Sequence, residues 1–266
     1  AAAGGGGGAG AGAGAGGAGE RYPTDRSKFF GASRCDSSFL LCDDFEGGSI
    51  DTGTWKNKNS APSIDSTRAA RGSKSLHMKT TATGVSGLET SKIFPRPIYY
   101  GRMFVYFMAL PTKPQWAHWT VVGANPKAGS GMSGEARLGG QFDGKRNLFG
   151  VGTDGGPTGD WTNLDADPTG AVKAVPLGEW ICVEWMHDST NDISKFWWDG
   201  IEHPSLGTTR DVKHMGNAGV KYDIPELASV WVGFWNYDQG QAVTPNGFDT
   251  WIDEVALDDE RIGCGL

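Results

Sequence analysis

Beyond Glu20, the apolar residues of this chain come in short aromatic and β-branched bursts and never keep a helical spacing for more than two turns. The runs at 103–108, 119–122, 180–185, 195–198 and 230–235 are rich in Phe, Trp, Tyr, Val and Ile and are closed off by Gly, Pro, Asn or Asp. Such side chains suit a pleated, half-buried surface, and the closing residues suit turns. Asp199-Gly200, directly after Trp197-Trp198, marks a two-residue hairpin turn. Many short strands with no helices between them predict an all-β antiparallel sandwich. The stretch 150–176, rich in Gly, Asp and Pro, reads as an elaborated surface loop over one face.

Residues 1–19 are all Ala or Gly, with neither a charged nor an apolar block. Residues 1–20 are therefore expected to be a flexible linker, possessing none of the regions of a signal peptide and exposed in a secreted or surface-tethered protein. The remainder, 21–266, is long enough for one large all-β domain. A net charge of -7 without a basic stripe argues against nucleic-acid binding, and no apolar run approaches the roughly 18 residues that cross a bilayer. A monomer is expected.

Carboxylates sit inside two apolar stretches, at Asp43, Asp44 and Glu46 near one end and at Asp253 and Glu254 near the other. A buried carboxylate needs a partner, and clustered oxygens suit a hard cation such as Ca2+, so a structural clamp between the two stretches is expected. The four cysteines allow three pairings, and spacing alone does not choose among them. Reach favours Cys35 with Cys42 as a local loop, leaving Cys182 in a strand to staple Cys264. Two disulfides imply an extracytoplasmic location.

Several short segments occur in a telling order: Asp43-Asp44-Phe45-Glu46-Gly47, Gly72-Ser73-Lys74-Ser75-Leu76, His118-Trp119-Thr120, Arg137-Leu138-Gly139-Gly140-Gln141, the run 178–184, Phe234-Trp235-Asn236-Tyr237, and 251–254 leading to Cys264-Gly265. Over residues 42–266 the chain resembles the cellulose-induced secreted proteins of wood-rotting fungi, a family related to glucuronan lyases. The resemblance implies a β-jelly roll with a bound calcium and a polysaccharide groove. It implies calcium ligands at Glu46 and Asp253, with a main-chain carbonyl near Ser73.

In an extended strand, Glu135, Arg137, Gly139 and Gln141 share one face, a polar row with a glycine gap that lets a substrate approach. Arg137 can pair with a sugar carboxylate and Gln141 can bond hydroxyls. His118 and Tyr237 match polar positions of the resembling family. With Arg137 and Gln141 they supply the chemical types that β-elimination from a uronate needs: carboxylate neutralisation, a base for the C5 proton and an acid for the leaving O4. Glu135, Asp154, Trp235 and Trp119 complete the expected substrate-binding set. Glu135 stands where the fungal proteins have histidine, and an acid there repels a uronate unless Arg137 pairs with it. His77, His187, His203 and His214 show no metal-ligand spacing. Two other readings remain: a carbohydrate-binding module using exposed tryptophans, and a glycoside hydrolase using Glu179 with Glu184 or Asp143 with Glu135.

Overall fold

The protein is described from a computed structural model, which covers residues 22–130, 134–154, 160–163, 173–208, 223–237 and 240–266, with the backbone alone at 154 and 160–163. The expected linker lies outside the described residues. So does His214. The strands form two sheets, and every pairing between named strands is antiparallel.

The seven-stranded sheet runs, in spatial order, β10 (Asp160–Asn163), β9 (Asn147–Asp154), β8 (Glu135–Phe142), β7 (His118–Pro126), β14 (Leu227–Tyr237), β5 (Val85–Thr90) and β2 (Lys56–Asn59). The eight-stranded sheet runs β13 (Ile201–Glu202), β12 (Ile193–Trp198), β11 (Trp180–Asp188), β6 (Ile98–Phe107), β15 (Phe248–Asp258), β4 (Ser75–Thr80) and β3 (Ser63–Asp65), with β1 (Leu41–Asp43) on β15 as well. This is the expected sandwich, of jelly-roll type. The hairpin at Asp199-Gly200 forms as predicted, with both residues at positive φ (48° and 78°) and Trp198 opposite Ile201. The stretch 150–176 differs from expectation, because β9 continues to Asp154 and β10 occupies 160–163. Its glycines pair as strand: Gly150 and Gly152 lie opposite Gly139 and Arg137, where a missing Cβ leaves the ladder intact.

Period-two alternation decides what each sheet offers to the core. On β8, Ala136 and Leu138 go inward while Glu135 and Arg137 face the other way. The core between the sheets is aromatic: Trp119 lies 5.2 Å from Phe107 and 5.5 Å from Phe149, centroid to centroid, and Phe149 meets Phe196 and Trp198. His187 is buried there beside the Tyr99 hydroxyl, and burial holds it neutral, with its pKa pushed down to about 3. His77 bridges Asp65 and Asp249, and His203 packs near Phe196 and Trp198, so each of these three histidines has packing or hydrogen-bonding partners within the sandwich.

The outer face of the eight-stranded sheet carries a second, smaller core of Phe29, Ala70, Phe104, Cys182 and Cys264. Both expected disulfides are present, Cys35–Cys42 and Cys182–Cys264, with Cα separations of 5.3 and 6.0 Å. Next to the second bridge lies a buried ionic cluster. Arg71 donates to Glu254 at 2.5 Å and to the carbonyls of Cys264 and Leu266, while Arg102 reaches the same Glu254 oxygen at 3.1 Å. Glu254 adopts φ 46° at a bulge between Asp253 and Ala256, and this turns adjacent carboxylates into the interior.

Candidate functional site: a polar and aromatic face on the seven-stranded sheet

Register places three of the predicted residues side by side. Gln141 of β8 lies opposite His118 of β7, which lies opposite Tyr237 of β14. Residues directly opposite in an antiparallel pair share a face, so the three form one row across three strands. Tyr237 is 49% exposed at the open end of the row, and Gln141 is buried at the other. Arg137 joins from four residues further along β8, on the same face. Its guanidinium lies 4.4 Å from the centre of the Trp235 ring, which is 6.0 Å from the ring of Tyr237. Arg137, Trp235 and Tyr237 thus form a continuous chain of contacts beside the row.

Glu135 is paired. It accepts from the Arg137 Nε at 3.0 Å, the Lys58 Nζ at 3.3 Å and the Trp231 indole at 3.1 Å. Lys58 also lies 3.8 Å from Glu89, whose Oε1 accepts from Asn125 and Ser229. Two cations and two anions therefore neutralise each other in the middle of this face. Trp231 lies flat over Gly123, where a Cβ would fall 2.2 Å from the indole nitrogen, and only glycine permits that contact. Lys58, Glu89, Asn125, Ser229 and Trp231 were not anticipated. Trp231 alone carried a usable signal, since alternation from Val230 places it opposite to the core face; the polar edge strand that supplies Lys58 carried none.

Trp119 is not part of this surface. It is fully buried in the core, because it alternates with His118 and the two cannot share a face. Asp154 is fixed only by its backbone register opposite Glu135. The two carboxylate pairs weighed for hydrolysis are not assembled. Glu184 is buried in a bidentate pair with Arg261, and Glu179 is an exposed partner of Arg26, both in the other sheet's surroundings. Asp143 turns back to Arg146 just beyond the end of β8, roughly 25 Å along the strand from Glu135 at about 3.3 Å per residue.

The expected calcium residues converge on one segment. Asp253 Oδ2 accepts from the backbone of Ala70 and Arg71, and its Oδ1 from Glu254. Glu46 accepts from the backbone of Ser73 and Lys74 and from the Ser73 hydroxyl. Asp253 is fully buried, and burial pushes its carboxyl up to about 7, while among the described residues its hydrogen bonds come from backbone amides. Asp253 Oδ1 and Glu46 Oε2 each accept one described hydrogen bond, which leaves lone pairs for a hard cation, so the donor chemistry fits Ca2+. Among the described residues no three or more His, Cys, Asp or Glu are grouped so as to hold a metal ion, and main-chain or water oxygens would have to supply the other ligands.

No family model and no curated protein matches the sequence. Solved structures do match the fold. A cellulose-induced protein, Cip1, superposes with a TM-score of 0.64 at 23% identity, over 85% of this chain and 100% of that one. The laminarinase catalytic domains of Thermotoga petrophila and Thermotoga maritima each give a TM-score of 0.52 at 10% identity, over 82% and 84% of this chain and 96% and 98% of theirs. These likenesses establish the two-sheet sandwich.

Proposed function

We propose that the chain is a secreted polysaccharide lyase acting on a uronate-containing glycan. The observation that carries this reading is the Gln141–His118–Tyr237 row beside Arg137 and Trp235. In the reaction, Arg137 and Gln141 bind the C5 carboxylate and stabilise the charge that develops on it, with His118 as a further hydrogen-bonding group. Tyr237 takes the C5 proton, the freed electron pair forms the C4–C5 double bond, the C4–O4 bond breaks, and the proton passes to the leaving O4. Trp235 orients the sugar and fixes Arg137. The two disulfides fit an oxidising compartment. Glu46, Asp253 and a main-chain oxygen near Ser73 would hold a structural Ca2+.

An ultraviolet assay for the conjugated product across glucuronan, alginate, pectate and glucuronoxylan tests this. Signal on one polymer, abolished in Tyr237→Phe with binding retained, is expected. Retention of polysaccharide with no signal on any polymer would replace the lyase with a second reading, a binding module. That reading draws on the pairing of Arg137 with Glu135, which leaves the guanidinium less available to a substrate carboxylate.

A further inference from the structure

The face described above has a positively charged extremity that the elimination chemistry does not use. Along one register line, Arg137 on β8 is followed by Gly123 on β7, Trp231 on β14, Glu89 on β5 and Lys56 on the edge strand β2. At about 4.8 Å per strand, Lys56 lies roughly 19 Å from Arg137. An open cavity of about 350 Å³ occupies that edge, lined by Thr54, Lys56, Glu89, Ser91, Lys92 and Ser229 among others.

The charges at this edge cancel only in part, since Lys56 lies opposite Glu89 and Lys92 acts on Asp51. Glu89 is held by Lys58, Asn125 and Ser229. Asp51 accepts from the Thr54 hydroxyl and from the Gly53 amide, bonds that lower its pKa, and the nearby charge of Lys92 helps to lower it, so this carboxylate offsets part of the charge of Lys92. Lys56 is exposed with no described ion pair, and the exposed Lys92 donates to the neutral Thr54 hydroxyl at 2.9 Å. Two ammonium groups, one of them partly offset by Asp51, thus flank a polar cavity at the far end of a face whose middle is electrically balanced.

We infer that the Lys56 and Lys92 cavity is a remote subsite for a carboxylate of a polyanionic glycan, so that the substrate carries acidic residues along its backbone. This deepens the reading given under Proposed function and rests on it. A single uronate at Arg137 cannot reach Lys56. Only a longer oligomer with a second acid group can engage both, so the subsite makes affinity depend on chain length and on salt.

The test measures calorimetric affinities of the full chain and of Lys56→Gln/Lys92→Gln for oligouronates from disaccharide upward, with a neutral oligosaccharide of matching length as control. Both lysines are exposed, so melting curves should coincide. The expected result is a roughly tenfold loss for the longer oligouronates, a reduced salt dependence and an unchanged disaccharide affinity, since two ion pairs near a surface supply about that much. Equal losses at every length, no loss at any length, or tight binding of the neutral oligomer would each overturn the subsite while leaving elimination intact. Failure of the wild type to bind any oligouronate would overturn the underlying reading and the subsite with it.

Discussion

Glu254→Gln removes, at nearly constant volume, a carboxylate charge that two buried guanidinium groups share; both also donate to the Leu266 oxygen. Arg71 and Glu254 meet at 2.5 Å, and Arg102 and Glu254 at 3.1 Å, with all three side chains fully buried. The other carboxylate oxygen accepts from the Arg34 amide at 2.5 Å. Burial, with the charge of Arg71 as the next cause, already brings the pKa of Arg102 down to about 10. Removing the anion leaves two buried like charges with only the Leu266 oxygen still shared between them, a loss of about 3 to 5 kcal/mol for a broken buried pair. In a domain of this size that corresponds to a melting shift on the order of 10 °C. Urea unfolding should show a lower midpoint with an unchanged slope. Arg102→Met in the Glu254→Gln background should recover part of the loss by removing one of the uncompensated cations. A single-variant loss below about 1 kcal/mol, or additive losses in the double variant, would refute the view that these groups act as one cluster.

Asp253 predicts a pH effect of known sign. Its folded-state pKa of about 7 exceeds the ordinary 3.8, so the native state binds the extra proton and stability falls as pH rises through that window. In EDTA the decline should amount to about 4 kcal/mol in total, should vanish in Asp253→Asn, and should be reversed by Ca2+; parallel profiles for the two proteins would contradict it. Reduction of Cys182–Cys264, which closes a separation of 82 residues, should cost at most about 4 to 5 kcal/mol, and non-reducing peptide mapping should recover Cys264 joined to Cys182. Arg137→Ala should weaken both turnover and glycan affinity, because a carboxylate clamp acts in the ground state as well as the transition state. Glu135→Gln should tighten uronate binding by releasing Arg137 and Lys58, and weaker binding would show that the acid itself contacts the sugar.

The sandwich was legible because apolar bursts, turn residues and Asp199-Gly200 all report local backbone preference. The Gln141–His118–Tyr237 row was legible only as a set of separate candidates; what joins them is register, which depends on strands 96 residues apart in a pair such as Glu135 and Trp231. The burial of Trp119 was legible too, because alternation alone separates it from His118. Lys58 was hidden for a physical reason. An edge strand reading Lys-Asn-Lys-Asn buries almost nothing, so no hydrophobic pattern announces that its side chains reach over to Glu135. That Asp253 and Glu254 are buried carboxylates was legible from their place in an apolar run; which partners each has was not, and Glu254 takes guanidinium groups.

The bond between Cys182 and Cys264 also sets how the protein carries tension. A pull applied between residue 22 and residue 266 passes from β11 straight to the tail through sulfur. The closed section contains β12, β14 and β15, and therefore Trp231, Trp235 and Tyr237. While oxidised, those strands cannot be drawn out in line, and the contour released on unfolding is short by roughly 280 Å at about 3.4 Å per residue. Under shear, the strand that carries Tyr237 is thus spared the load that reaches the N-terminal half of the sheets.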